Sequence, residues 1–208
     1  MHEAEAREWV RREFIVPRET IERLDAFALL LRAENERQNL VSRGSLDTFW
    51  LRHIADSAQL LRVSPAADAS WVDLGTGAGF PGLIVALLHR GPVTLVEERK
   101  LRVGFLEQAV EVLGVADRTE IVRSKAERLP PRPFDVISAR AFAPLGRLLE
   151  LGRRFSTNKT RWILPKGRNA QSELDEALSS WQGDFRLEQS LTDADAKIVV
   201  AERVERKR

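Results

Sequence analysis

Between Trp71 and Gly82 the chain reads WVDLGTGAGFPG, an apolar run followed at once by four glycines and a proline. Glycine weakens regular structure and belongs where the backbone needs φ above zero or where another group must come close. The stretch therefore reads as a strand ending in a binding turn. The same rhythm continues downstream, with candidate strands at 71–74, 93–97, 119–122, 134–139 and 161–165 and helices starting near Pro81, Arg99, Pro144 and Ala170 between most of them. Strands alternating with helices predict an α/β fold with a parallel, doubly wound sheet. The runs 184–191 and 196–204 are strand-like with only a polar turn between them, so an antiparallel pair is expected to close the sheet.

Upstream of Trp71 the pattern is helical. Leu24, Phe27, Leu30 and Leu31 recur at helical spacing after Pro17 and Thr20, and Phe49, Trp50, His53, Ile54 and Ser57 do so after Ser45. Residues 1–66 are expected to form a helical extension and 67–208 the sheet domain, with 63-VSPAADAS-70 as the joint. At 208 residues and 43% hydrophobic, the chain can bury one sizeable core.

With no cysteine, thiolate metal sites and cysteine nucleophiles are excluded, and three scattered histidines do not predict a metal site. No stretch reaches the length of a membrane span, and the first residues, MHEAEAREWVRREF, are charged where a secretion signal is apolar. A cytoplasmic monomer with no membrane or metal partner is expected. The basic residues are 27 arginines against 6 lysines, a bias that suits phosphate and base recognition or reflects codon usage.

Ligands of such sheets bind at the carboxyl ends of the strands. Read as 77-GAGFPG-82, the turn satisfies G-x-G-x-x-G with Glu97 twenty residues beyond Gly77, a spacing that also fits a nicotinamide dinucleotide. Asp73 argues against that ligand, because a carboxylate just before the first glycine repels a pyrophosphate. A cationic ligand reverses the argument: Asp73 attracts it while Gly75, Gly77 and Gly79 let it lie on the backbone. S-adenosylmethionine is such a ligand, and a carboxylate ending the second strand would accept both hydroxyls of its ribose. Glu97 is the candidate and Glu98 its competitor. Ala126 and Glu127, after strand three, would lie beside the adenine.

The motifs 39-NLVS-42, 52-RHIADS-57, DLGTGAGFPG, 138-SARAFAPL-145 and 165-PKG-167 occur in the order and spacing of the bacterial small-subunit rRNA guanine-N7 methyltransferases, the glucose-inhibited division protein B family, which the chain resembles over about residues 20–200. The resemblance implies a class I, Rossmann-like methyltransferase fold and an adenosylmethionine-dependent enzyme acting on N7 of one guanine in a decoding-region loop of 16S rRNA. It further implies cofactor contacts at Gly75, Phe80, Ala126, Glu127 and Arg140, and 16S rRNA or the small ribosomal subunit as partner. Leu101 stands where the family often has a basic residue, and Ala139 separates the serine and arginine of SAR. A small-molecule methyltransferase on the same fold, a nicotinamide oxidoreductase and a noncatalytic RNA-binding module are the competing readings.

Chemistry favours the same acceptor. Exocyclic amine methylation calls for an Asn/Asp-Pro-Pro-aromatic loop and pyrimidine C5 methylation for a cysteine, and neither is present. Guanine N7 carries a free lone pair in the base plane and needs alignment more than acid or base. No acid or base is therefore assigned. Arg140, after strand four, is expected to touch cofactor or guanine, with an ion pair to Asp135 or Glu127 as its structural alternative. Asn39, Ser42, Arg52, His53 and Lys166 are the candidate substrate contacts: Lys166 for a phosphate, His53 for shaping the pocket, and Arg52 with the simpler option of a helix ion pair to Asp56.

Overall fold

The computed structural model describes residues 1–207 of the chain. Its centre is a seven-stranded sheet in the order β3-β2-β1-β4-β5-β7-β6. The strands are β1 (Trp71–Leu74), β2 (Val93–Glu97), β3 (Thr119–Arg123), β4 (Val136–Ser138), β5 (Arg161–Lys166), β6 (Trp181–Gln189) and β7 (Lys197–Arg206). The first five run parallel, while β7 pairs antiparallel with both β5 and β6. The order reverses at β1, so the carboxyl ends of β1, β2 and β4 open onto the crevice where doubly wound sheets bind ligands. The antiparallel closure matches expectation. Strand four is shorter than the 134–139 run, because Phe134 packs on Phe155 with rings 6.4 Å apart at the sheet's lower edge and Ala139 already leaves the ladder.

The central strands are buried on both faces, as parallel sheets covered by helices must be. Alternate residues sort to two cores. Trp71, Val93, Leu95, Val136 and Ile163 face one layer, and Val72, Leu74, Val96, Ile137 and Leu164 face the other. The first layer holds the helices that in chain order are α1 (Glu3–Glu13), α2 (Arg18–Asn35), α3 (Arg43–Leu46), α4 (Asp56–Ala58), α5 (Gly82–Leu88) and α6 (Lys100–Leu113). The second holds α7 (Leu145–Gly152) and α8 (Ala170–Leu178).

The N-terminal helices share the first core with the sheet. Leu24, Phe27 and Leu31 recur every three or four residues on α2 and are fully buried. Phe27 is the hub, with ring centroids 6.1 Å from Phe49, 5.7 Å from Phe80 and 6.2 Å from Phe105, a range in which aromatic pairs add to area burial. The segment 50–63 is not one α-helix. It begins as a π-helix at Trp50–Ala55, becomes α4 and ends as a 3-10 turn at Gln59–Val63. The Glu3 carboxylate caps its start, accepting from the amides of Trp50 (2.8 Å) and Leu51 (2.9 Å).

Candidate functional site

The glycine turn is built over two buried acids. Asp73 is fully buried and accepts hydrogen bonds from the Thr76 hydroxyl (2.5 Å), the Ser138 hydroxyl (2.7 Å) and the Gly82 amide (3.1 Å). Burial pushes its carboxyl up to about 6, and the three hydrogen bonds oppose that rise. The expectation that Asp73 faces the ligand is therefore corrected: it has no exposed surface and holds the turn closed from beneath. Gly82 leaves room for this arrangement, since a Cβ there would lie 2.2 Å from Leu95 and 3.0 Å from Asp73.

Glu97 is the second acid. One carboxylate oxygen accepts from the Gly77 amide (3.1 Å) and the other from the Arg99 amide (2.8 Å), with Arg102 Nη1 at 3.7 Å. Two oxygens with one amide each keep free lone pairs, and they border a cleft of 370 Å³ lined also by Gly75, Ser124, Ala126, Glu127 and Phe142. Glu98 also borders the cleft but is exposed and turned to Lys125 at 3.6 Å, so of the two neighbours Glu97 is the buried one. Gly75 (φ +65°) and Gly77 (φ +60°) take the left-handed backbone that side chains rarely adopt. Gly79 does not border the cleft; a Cβ on it would meet Leu83 at 2.2 Å, which makes it a packing residue under the turn.

Two expected cofactor contacts sit elsewhere. The Phe80 ring is buried between Phe27 and His53, stacked on the latter with centroids 4.6 Å apart, because an apolar ring beside the aromatic hub is driven inward. Arg140 points into a neighbouring cavity of 600 Å³, which meets the cleft at Ala141 and Phe142. Ala141 has φ 50° and reverses the chain between them, so that Arg140 reaches the N-terminal helices while the Phe142 ring, 39% exposed, lies against Gly75. Neither Asp135 nor Glu127 pairs with Arg140. Its Nη1 donates to the Arg52 carbonyl and to Asp56 Oδ2, both at 3.0 Å, its Nη2 lies 3.3 Å from His53 Nδ1, and the guanidinium stands 5.2 Å over the Phe80 ring. Glu127 itself turns its carboxylate to Arg147 at 3.0 Å.

His53 is buried at the edge of this second cavity. A guanidinium only donates, so Nδ1 carries the lone pair and Nε2–H donates to the Ser45 hydroxyl at 3.0 Å. Burial pushes the ring's pKa down to about 3, helped by the cations of Arg140 and Arg52. The imidazole is thus neutral, and its free nitrogen is already engaged.

The remaining substrate candidates divide. Ser42 borders the second cavity from its exposed rim, whereas Asn39 is exposed and outside the cavity lining. The capping role near it falls to buried Asn35, whose Oδ1 accepts from the amides of Leu40 (2.8 Å) and Val41 (2.9 Å). Arg52 does not pair with Asp56: α-helical spacing does not hold across the π-turn, and Arg52 reaches Asp193 at 2.9 Å instead. Lys166 is not a free phosphate contact. Its ammonium donates to the Ala143 carbonyl and Glu173 Oε2, both at 2.8 Å, with its side chain 8% exposed. Asp56, read from sequence only as a helix ion-pair partner, forms a cluster beside Arg140 with Gln59 and Thr192, neither of them singled out: Asp56 Oδ1 accepts from Thr192 Oγ1 (2.7 Å) and Gln59 Nε2 (3.0 Å). Only Asp56 was visible in a motif; its partner lies 136 residues away.

A doubly wound sheet with a glycine turn after β1, an inward acid ending β2 and a second cavity beside the turn defines a class I methyltransferase. The donor set suits the cofactor of that class, since a carboxylate with free lone pairs can accept ribose hydroxyls and a cleft of this size holds a nucleoside. The fold is similar to that of MtNAS solved with S-adenosylmethionine (TM-score 0.60, 17% identity, 83% of this chain and 72% of that one) and of a ribosomal protein L11 methylase from Lactobacillus delbrueckii subsp. bulgaricus (TM-score 0.58, 16% identity, 74% and 78%). The chain belongs to the rRNA small subunit methyltransferase G family, whose model matches residues 20–200. Among relatives called ribosomal RNA small subunit methyltransferase G, that of Rhizorhabdus wittichii is 49% identical over 99% of this chain and 94% of its own, and that of Zymomonas mobilis 46% identical over 100% and 97%. Among the described residues no cluster of metal-binding side chains occurs, and no helix is long and apolar enough to cross a membrane.

Proposed function

We propose that the protein transfers a methyl group from S-adenosylmethionine to N7 of a guanine in a decoding-region loop of 16S rRNA, with residues 1–66 forming part of the acceptor cavity. The cofactor, when bound, supplies an electrophilic methyl on a sulfonium. Glu97 accepts the ribose hydroxyls, the backbone at Gly75 lets the ligand lie against the turn, and Ala126 borders the adenine end. The cofactor contact expected of Glu127 belongs to the same reading, while Arg140 acts from the acceptor cavity.

The observation that carries the choice of acceptor is the state of His53. Its imidazole is neutral, with one nitrogen engaged by Arg140 and the other bonded to Ser45, and the cavity's carboxylates, Asp56, Glu173 and Asp193, are each paired with a cation, Arg140, Lys166 and Arg52. Attack by a hydroxyl or amine would leave a proton to remove. Attack by guanine N7 leaves none: the lone pair forms the N–C bond, the C–S pair returns to sulfur, and the charge passes to the purine. The cavity then has only to align the base, and near-attack alignment contributes about 7–11 kcal/mol in favourable cases. Family membership supports ribosomal RNA as the acceptor.

The test is methyl transfer from labelled S-adenosylmethionine to 16S rRNA and to small subunits from a strain lacking the protein, followed by nucleoside analysis. Label in 7-methylguanosine is expected. Label in another nucleoside, or transfer only to small molecules, would refute the assignment.

A further inference from the structure

We propose that Asp56 is the positioning residue for Arg140, locking its guanidinium in the acceptor cavity that adjoins the cofactor cleft; this rests on the methyl transfer proposed above. Both carboxylate oxygens are engaged. Oδ2 accepts from Arg140 Nη1 at 3.0 Å, while Oδ1 accepts from Thr192 Oγ1 at 2.7 Å and Gln59 Nε2 at 3.0 Å. Gln59 in turn accepts the Leu191 amide at 2.8 Å, which fastens the β6–β7 turn to the same point. One acid thus joins three elements distant in sequence: the helical segment 50–63, the end of β4 and the β6–β7 turn.

The contact is built for direction rather than for charge alone. Arg140 and Asp56 are each 21% exposed, so the pair is partly desolvated and removing one partner leaves the other charge poorly compensated. The Arg52 carbonyl accepts from the same Nη1 at 3.0 Å, and His53 Nδ1 faces Nη2 at 3.3 Å. With Asp56, these acceptors take both Nη1 hydrogens and one on Nη2, leaving Nε–H and the second Nη2–H without a hydrogen-bond partner among the described residues, in a side chain that lines the cavity. Without Asp56 the fork keeps only neutral acceptors, and a side chain with four rotatable bonds regains its freedom. Thr192 orients Asp56 in turn.

Asp56→Asn tests the idea, because the amide keeps the shape and can still accept from Arg140 while losing the charge. The expected result is a loss of about ten- to a hundredfold in kcat for methyl transfer to 16S rRNA, the scale of a charge-assisted hydrogen bond, with affinity for S-adenosylhomocysteine within about twofold of normal. Thr192→Val should lower kcat in the same direction by a smaller factor. Since Asp56 acts through Arg140, Asp56→Asn should cost nothing further in an Arg140→Ala background. Independent losses in the double variant, or a lowered melting temperature with normal turnover per folded molecule, would overturn the proposal. A readout without turnover separates it from the choice of acceptor: hindered rotation of the Arg140 guanidinium, seen by NMR as resolved Nη signals, should be present in the unmodified protein and averaged in Asp56→Asn. Equal hindrance in both would sink the positioning role even if rRNA methylation is normal, and absence of rRNA methylation with the expected NMR change would refute the acceptor assignment alone.

Discussion

Replacing His53 by glutamine should alter how stability depends on pH more than it alters stability at neutral pH. The ring's pKa is about 3 in the folded protein against 6.5 for the free side chain, so protons bind the unfolded chain better. The stability this represents is complete above about pH 6.5 and is lost as pH falls toward the folded value. At about pH 5 the unfolded imidazole is almost fully protonated and the folded one is not, which removes about 2 kcal/mol relative to pH 8. Asp73 works in the other direction. Its folded pKa is about 6 against 3.8, so its cost is complete above about pH 6 and is relieved on acidification, returning about 1 kcal/mol by pH 5. In the unmodified protein the two largely offset each other over this window. Glutamine keeps a donor for Ser45 but cannot take up a proton, so the variant retains only the Asp73 trend and should gain stability between pH 8 and pH 5. Urea unfolding followed by tryptophan fluorescence at both pH values measures the difference, which should amount to about 2 kcal/mol between the two proteins. Parallel pH dependences would show that His53 titrates normally in the fold, and the argument against a histidine base would fall with it.

Glu97→Gln should weaken cofactor binding by about ten- to a hundredfold in calorimetry, because a charged acceptor for ribose hydroxyls becomes a neutral one. Gly77→Ala meets nothing nearer than Arg102 Nη1 at 3.6 Å and should cost only the strain of a left-handed alanine, about 1–2 kcal/mol of stability, whereas Gly75→Ala places a methyl 2.2 Å from the Phe142 ring and should also lower cofactor affinity by about tenfold; equal affinities in the two variants would contradict the assignment of Gly75 to the cleft wall. Lys166→Met should reduce stability by about 2 kcal/mol, by leaving Glu173 without its cation, while the salt dependence of RNA binding stays unchanged. That salt dependence should itself be steep, with log affinity falling linearly against log salt as phosphate counterions are released, and a flat plot would argue for a small uncharged acceptor.

The parts of this protein that were legible in its sequence are those whose signal is local. Strands β1 and β2 announce themselves because both faces are buried and the residues are mostly apolar, broken only by Asp73, Thr94 and the terminal Glu97; the turn after β1 does so because left-handed backbone at Gly75 and Gly77 demands glycine. Glu97 was legible from its place after an apolar run, but its choice over Glu98 needed three-dimensional packing. Strand β6 starts at Trp181 rather than 184 because the exposed Gln182, a bulge at Gly183 and Asp184 carry no alternation to read. Asp73 and Lys166 misled for one reason: each looks like a free charge in one dimension and finds its partner only after folding, Asp73 in Ser138 and Lys166 in Glu173. The Asp56–Thr192 contact has no sequence signature, since nothing in either neighbourhood refers to the other. The family motifs carried what periodicity could not, because they mark positions without requiring a reason for each.

Ala141 and Phe142 belong to the walls of both cavities. A partition held in common makes the occupants energetically interdependent. Whatever free energy a molecule in the cleft expends in fixing the aromatic ring, a second molecule arriving next door need not expend again, and the reverse holds with equal magnitude. On the proposed assignment of the two cavities, the affinities of acceptor and cofactor are thus linked through one half-exposed side chain resting on a glycine.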